Sequence, residues 1–483
     1  MNTVQRIAKN SLVLLASNII SKILGFFYVM YIARYLSAEG FGILSFALAF
    51  TGIFGVFTDL GITTLTVREV ARNKSLAGKY LGNITVIKII LVIITFGLIA
   101  ITINLLGYPK QTIKVVYFLA LSVILSSFSN IFNSIFQAYE KMEYQSMEQI
   151  LISVLILSSA LFAISHGFSV IGFAFIYFLV SAVALIYSFV ISIWKFVKPK
   201  MEVDWSFWKY TIKEALPFGL TGISGMIYTY TDTIMLSLMK GDEVVGWYNA
   251  AYKLMLILLF IPGIINSAIF PSMSRFYISS QNSLKLIYEK YFKFMLMIGI
   301  PIGIGTTLLA DRIILLIFGI GYTQSIIALQ VLIWTIVLTF AGAAFVKLFE
   351  SINRQIVITN ISIGCVIINI ILNFLLIPKF SYVGASIATV ITEFILVGSI
   401  FIFTYKFGYG IQGKKVVKNI SKIIIASLIM GVFIWYFKSL NLFILIILTI
   451  LFYLIMMYII KGITHEDMMI FKRIIKPREV TEK

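Results

Sequence analysis

The chain has 483 residues, 60% of them hydrophobic and 12% charged, with a mean hydropathy of +1.00, far above the roughly 45–50% apolar usage of soluble domains. That balance excludes a soluble enzyme and describes an all-α polytopic membrane protein. A formal net charge of +19 would point to nucleic acid in a soluble protein, but basic residues accumulate in the cytoplasmic loops of membrane proteins, so no nucleic-acid partner is expected.

The single cysteine, Cys365, lies in an apolar run, which rules out an intrachain disulfide and a thiolate cluster. The two histidines, His166 and His465, are far apart in separate loops. With so few ligands for zinc chemistry, no metal and no other cofactor is expected.

An apolar run of about 20 residues spans the hydrocarbon core. Fourteen such runs can be read in chain order: 11–33, 41–65, 80–106, 113–138, 146–165, 168–194, 212–239, 244–272, 288–310, 324–349, 355–377, 381–407, 417–437 and 441–461. The first is long enough to span outright, so it is expected to be a permanent helix and not a cleaved signal. With the N-terminus inside, the alternate loops hold Arg6, Lys9, Arg68, Arg72, Lys195, Lys198, Lys414, Lys415, Lys472 and Arg473. That asymmetry sets the orientation, and an even number of spans puts both termini in the cytoplasm.

The chain repeats itself. Glu39-Gly40-Phe41-Gly42 recurs as Glu243-Val244-Val245-Gly246, an offset of 204, and the segment 136–141 (FQAYEK) recurs as 349–354 (FESINR), an offset of 213. Gly172 and Gly384 sit alike in the sixth and twelfth runs. Matches in the same order at similar spacing indicate a duplicated six-helix unit. The expected organisation is therefore a first six-helix lobe at 1–205, a pseudo-symmetric second lobe at 206–410, and helices 13 and 14 with a polar tail at 411–483. Both lobes run the same way through the membrane, which places a substrate between them.

Charges inside the runs mark candidate sites, since an ionisable group near the bilayer centre costs roughly 2.5–3.5 kcal/mol on insertion scales. Lys22 lies near the middle of the first run, Lys88 in the cytoplasmic half of the third, and Lys253 in the eighth. Compact ammonium groups suit a phosphate ligand in a cavity of low dielectric; the alternatives are snorkelling to the interface or a structural ion pair. Asp232 and Lys253 lie at similar depths, about 12–14 Å from the outer ends of their helices, and can pair. Asp232 is otherwise an ion-coupling site or a contact to sugar hydroxyls. Glu393, in the middle of the twelfth run, fits ion coupling, gating or a buried polar contact, and Asp59, Arg68 and Glu69 fit a cytoplasmic gate or a salt-bridge cluster.

Pro217, Pro262, Pro271 and Pro301 interrupt runs 7 to 9 and are candidate kinks, because each removes a backbone hydrogen bond. Tyr28, Tyr31, Tyr228 and Tyr230 are candidates to stack on sugar rings or to join interfacial belts. The segment from Gly408 to Lys414 fits the start of a phosphate-binding loop, but Lys415 stands where Ser or Thr is required and no strand precedes it. Nucleotide hydrolysis is not expected.

The string ARYLSAEGFGILSFALAF at 33–50, the Thr58-Asp59-Leu60-Gly61-Ile62 and Val67 to Arg72 segments, FQAYEKM at 136–142 and the block from ALPFGL to AAYKL at 215–254 are similar to polysaccharide flippases of the O-antigen type. So are the stretch from Leu315 to Tyr322 and Val383-Gly384-Ala385-Ser386-Ile387-Ala388 ahead of Glu393. These flippases belong to the multidrug/oligosaccharidyl-lipid/polysaccharide exporter superfamily, and the resemblance covers about residues 1–410. It implies fourteen transmembrane helices in two lobes alternating between inward-open and outward-open forms. It also implies a polyprenyl-diphosphate-linked oligosaccharide as substrate, turned over in the plasma membrane for surface polysaccharide biosynthesis.

The expected partners are the lipid-linked oligosaccharide, membrane lipids, H+ or Na+ as coupling ion, and the polymerase or glycosyltransferases of the same pathway. Lys22, Lys253 and Lys88 are the candidate diphosphate residues; Asp232, Glu393, Asp59, Arg68 and Glu69 are the candidates for coupling or gating. A flippase of a cell-wall lipid precursor and a cation-coupled multidrug exporter of the same superfamily are the competing readings. Three lysines within the spans argue against cationic cargo. A membrane enzyme would need a large extramembrane loop with catalytic carboxylates, and the loops between runs are too short for one.

Overall fold

The computed structural model describes residues 3–200, 202–411 and 413–462; His465, Lys472, Arg473 and the rest of the expected tail lie outside them. The described residues are helical with no strand, and eleven helical stretches among them are long and apolar enough to cross a membrane. The chain divides into two compact units, Met1–Asn249 and Ala250–Lys483.

The first unit begins with α1 (Thr3–Gly55), which covers the first expected span and most of the second and bends at Ser37 (φ 60, ψ −179). Its end tightens into a 3-10 turn at Val56–Thr58, and the chain reverses through Leu60 (φ 47) and Gly61 (φ 84) into the amphipathic α2 (Ile62–Arg72). Then follow α3 (Ala77–Leu105), α4 (Lys110–Ala138), α5 (Met142–Ser165), α6 (Val170–Lys195), α7 (Trp205–Lys240) and the start of α8 (Asp242–Leu258). Packing joins α4 to α6, α1 to α5, and α7 to both α1 and α2. One end of the unit is an apolar core of Leu65, Leu81, Ile84, Ile135, Phe136 and Trp208 among others.

Two polar ties hold the first turn of α7 against this core. Trp208 Nε1 donates to Asn83 Oδ1 at 2.9 Å in a buried contact, and Lys79 Nζ donates to Asp204 Oδ2 at 2.7 Å. Asp204 also caps α7, accepting from Phe207 N at 3.0 Å, which satisfies one of the backbone donors a helix start leaves open.

Near the turn between α7 and α8 the backbones of α1 and α8 come into contact. A Cβ added to Gly42 would lie 1.7 Å from Asp242 O, and one added to Gly246 would lie 1.9 Å from Ala38 O. The contact is reciprocal: Ala38 and Gly42 on α1 face Gly246 and Asp242 on α8, each pair four residues apart on its helix. Only glycine allows helix backbones to approach so closely.

The second unit holds the rest of α8, then α9 (Phe260–Ser279), α10 (Gln281–Ile317), α11 (Ser325–Ser351), α12 (Gln355–Lys406), α13 (Gly413–Tyr436) and α14 (Leu442–Ile459). α11 packs between α10 and α12, while α13 rests on α10 and α14. Arg312 Nη1 donates to Lys438 O at 2.6 Å, and Lys438 pairs with Asp311 at 2.8 Å, tying the turn before α14 to α10.

Two bends and one break depart from a simple reading of the runs. α12 covers the eleventh and twelfth expected spans and bends at Ser381 (φ 53, ψ −136), three residues after Pro378. The eighth run is divided: α8 ends at Leu258 and α9 begins at Phe260. Pro262 explains the break, because a proline ring clashes with the carbonyl four residues earlier, here that of Leu258. Pro217, Pro271 and Pro301 lie inside uninterrupted helices.

The two sequence repeats have local counterparts. Ser37 and Gly241, 204 positions apart, share one backbone conformation (φ 60, ψ −179 and φ 91, ψ 174) at the breaks before Ala38 and Asp242. Glu140 (φ 57) and Asn353 (φ 58), 213 apart, end α4 and α11 in the same left-handed turn. In each, an N–H reaches back five residues: Lys141 N to Phe136 O at 2.9 Å and Arg354 N to Phe349 O at 2.8 Å, the closure that satisfies the last carbonyls of a helix.

Candidate functional site

The turn after α1 brings Asp59 toward α3. Lys88, fully buried, places Nζ 2.8 Å from Asp59 Oδ1 and donates to Ser127 O at 2.8 Å, with Ser127 Oγ and Thr63 Oγ1 at 3.2 and 3.4 Å. Asp59 also accepts from Thr63 N at 3.2 Å and from the Thr63 hydroxyl, so its carboxylate holds the first turn of α2. Each charge therefore has a partner and further hydrogen bonds, the condition under which a buried pair is tolerated. Lys88 is thus joined to Asp59, neither snorkelling nor open to a cavity, and Asp59 stands apart from the Arg68 cluster with which it was grouped.

On α2, Arg68 Nε bonds Glu69 at 2.8 Å and Arg68 Nη2 bonds Glu214 of α7 at 3.1 Å, while Arg72 joins Glu69 at 3.1 Å. The hydrogen bonds to Glu214 and Glu69 hold the Arg68 guanidinium above its ordinary pKa. Beside this cluster Gly61 touches α7: an added Cβ would lie 2.5 Å from Ala215 O and 2.6 Å from Gly219 N. The polar cluster and the glycine contact together fasten α2 to α7.

Asp232 is buried on α7 and accepts from Tyr248 Oη at 2.7 Å across the turn at Gly241. Beside it Asn249 Nδ2 donates to Thr233 Oγ1 at 3.2 Å. Lys253, its expected partner, belongs to the other unit; it is half-buried on α8 and has no hydrogen bond or ion pair among the described residues. Glu393, buried on α12, accepts from Thr339 Oγ1 of α11 at 2.8 Å. Lys22 is exposed on α1, likewise with no ion pair or hydrogen bond among the described residues. One turn earlier, Asn18 and Ser17 bond Gln149 of α5.

Of the tyrosines, Tyr28 is buried edge-on against Tyr177 at 5.9 Å, and Tyr230 lies against Gly52, whose added Cβ would be 2.8 Å from the ring. These two are committed to packing within the first unit, whereas Tyr31 is 40% exposed.

Four further polar side chains are buried in the helices: Tyr248, Asn369, Asn373 and Glu148. Tyr248 was hidden among many aromatics. Asn369 and Asn373, buried on α12 with Asn373 Nδ2 3.0 Å from Asn369 Oδ1, were signalled by two amides one helical turn apart in an apolar run. Glu148, buried near the start of α5, was signalled only as an acid just inside a span.

The family described as "Polysaccharide biosynthesis protein" matches residues 7–277. The chain is 22% identical over 392 residues to the "Probable low-salt glycan biosynthesis flippase Agl15" of Haloferax volcanii, covering 80% of this chain and 81% of that protein. It is 26% identical over 410 residues to the "Capsular polysaccharide biosynthesis protein CapF" of Staphylococcus aureus, covering 82% and 98%. Among solved structures, the lipid II flippase MurJ in an inward closed conformation superposes with a TM-score of 0.76 at 17% identity, covering 95% of this chain and all of that one. The structural likeness shows a shared fold.

Proposed function

The chain belongs to the polysaccharide biosynthesis protein family, the polysaccharide flippases of the multidrug/oligosaccharidyl-lipid/polysaccharide exporter superfamily, and from that premise we propose that it turns over a polyprenyl-diphosphate-linked oligosaccharide from the cytoplasmic to the outer leaflet of the plasma membrane. The observation that carries the substrate class is a pair of membrane-embedded ammonium groups, Lys22 and Lys253, with no anionic partner among the described residues. An unpaired charge in a span costs a few kcal/mol. An anionic ligand that pairs with it recovers that cost, and a cationic ligand adds to it.

The mechanism proposed is alternating access by two lobes, residues 1–205 and 206–410, an organisation supported by the matched turns at Ser37 and Gly241 and at Glu140 and Asn353. Lys22 in the first unit and Lys253 in the second are each proposed as a contact for the diphosphate, while the polyprenyl chain remains in lipid. Lys88 serves the reading less directly, by holding Asp59 and the turn before α2. Asp232, Glu393 and the Arg68–Glu69 cluster are the groups proposed for coupling and gating. The cycle needs a ligand or ion that binds the two states with different affinity, with a gradient of H+ or Na+ or the membrane potential as its drive.

The test is binding of a short polyprenyl diphosphate to the purified protein in nanodiscs. A charged hydrogen bond is worth about 1.5–3 kcal/mol, so Lys22→Ala and Lys253→Ala should each weaken binding about tenfold or more. Unchanged affinity in the double variant would sink the diphosphate site. Competition between glycan-bearing and peptide-bearing carriers separates the surface-polysaccharide reading from a cell-wall precursor flippase.

A further inference from the structure

The first unit contains a buried carboxyl that the proposed transport path does not use. Glu148, 4% exposed, sits near the start of α5, where α5 meets α4 and α6. Ser129 Oγ of α4 donates to Glu148 Oε1 at 2.6 Å and lies 2.8 Å from Ser188 Oγ of α6. The other carboxyl oxygen, Oε2, is buried without a hydrogen-bond partner among the described residues, as is Asn133 Oδ1. Asn133 lies beside the same carboxyl, one helical turn from Ser129.

The three helices contribute matched polar positions: Ser129 and Asn133, Gln145 and Glu148, Ser188 and Ser192. Among the described residues Gln145 Oε1 and Ser192 Oγ are also buried without partners. The amides and hydroxyls of these positions can donate as well as accept, but among the described residues none of the side chains bonded to Glu148 is a cation.

Among the described residues Glu148 is in no ion pair. α4 presents Ser129 and Asn133 to it. On α5 and α6 the nearby titratable groups are Tyr144 and Tyr187, whose phenol donates to Tyr144 O at 3.3 Å. Lys195, at the end of α6, is engaged by the Tyr144 hydroxyl at 3.1 Å, and Glu143 faces Lys141 at 3.7 Å. From α1, Ser17 bonds Ser146 of α5 at 3.2 Å.

A buried carboxylate without a cation is costly, and each unmet buried acceptor adds to that cost. One small cation bound between Glu148 Oε2 and Asn133 Oδ1 answers both deficits. Oxygen-only donors exclude soft transition metals, and one carboxyl balances a single positive charge. We propose that Glu148, with Asn133 and Ser129, forms a monovalent-cation site in the first unit that takes a proton or Na+. Its role in driving a transport cycle rests on the transporter reading above; occupancy of the site does not.

The test reads the carboxyl itself, without substrate. Infrared difference spectra of the full-length protein in lipid are recorded between pH 5 and 9 in sodium-free buffer, and again with added NaCl at fixed pH. A protonated-carboxyl band that disappears as pH rises and is missing from Glu148→Gln identifies proton binding. Loss of that band on adding Na+ at constant pH identifies Na+ exchange at the same oxygens. In either case Asn133→Ala should move the midpoint while Glu393→Gln leaves it unchanged. Identical difference spectra for wild type and a Glu148→Gln protein of normal thermal stability, at every pH and Na+ concentration, would overturn the site and leave Glu148 a static acceptor for Ser129. That result would not touch diphosphate binding, so the two readings fail separately.

Discussion

Lys88 Nζ stands 2.8 Å from Asp59 Oδ1, with the lysine fully buried at the junction of α2, α3 and α4. Removing one partner leaves the other charge uncompensated, at a cost of about 3–5 kcal/mol. Lys88→Met should therefore lower the unfolding midpoint in mild detergent strongly, and Asp59→Leu together with Lys88→Met should recover most of the loss. A double variant no more stable than Lys88→Met would show that the pair is not the source of the effect.

Ser37 and Gly241 share a backbone conformation that only glycine adopts without cost. A non-glycine residue held there stores on the order of 1–3 kcal/mol. Ser37→Gly should stabilise the protein and Gly241→Ser should destabilise it, each by about 1 kcal/mol or more on that scale, as thermal unfolding would register. Opposite signs at the two positions are the specific expectation.

The contact of Gly42 and Gly246 with Asp242 O and Ala38 O leaves no space for a methyl group. Gly42→Ala or Gly246→Ala should force α1 and α8 apart at a cost of about 1–3 kcal/mol. Lys240, exposed beside Gly241, offers a readout: trypsin should cut there faster in either variant. Equal cleavage rates would mean that the contact tolerates the added methyl.

Much of this fold is legible because an apolar run of spanning length has few alternatives to a helix. The bends are harder to read. The polar stretch Ser37-Ala38-Glu39-Gly40 reads as a loop between two spans, yet α1 continues through it with only a bend at Ser37, whereas Pro262 marks the break at Leu259 in plain view. Partner choice was the least legible part. Asp59 and Lys88 meet because the turn at Leu60-Gly61 aims the carboxylate at α3, and no spacing rule encodes that rotation. Asp232 meets Tyr248 through the turn at Gly241, and a phenol among many aromatics gives no signal of its own. Glu148 looked like an ordinary acid in the first turns of α5, because its burial comes from α4 and α6.

The Lys79–Asp204 tie gives the protein an acid-sensitive joint. The hydrogen bond from Lys79, and next that from Phe207 N, hold the Asp204 carboxyl below its ordinary pKa. A depressed carboxylate contributes stability that is fully present above its unfolded value of about 4 and is lost as pH falls through the lower native value. Hydrogen exchange at the start of α7 should therefore rise below about pH 4, and Asp204→Asn should show faster exchange already at neutral pH with a weaker acid dependence. An acid response unchanged by Asp204→Asn would assign the joint to other groups.

The most direct test of the central claim is leaflet transfer in liposomes containing the purified protein and a fluorescent polyprenyl-diphosphate oligosaccharide, scored by a sugar-modifying reagent that cannot cross the membrane. Parallel vesicles carry a cationic dye. The account predicts protein-dependent exposure of the glycan, reduced about tenfold or more by Lys22→Ala combined with Lys253→Ala, and no movement of the dye. Gradient-driven dye transport with the glycan lipid left in its original leaflet would contradict it and make Asp232 and Glu393 the residues that define the cargo.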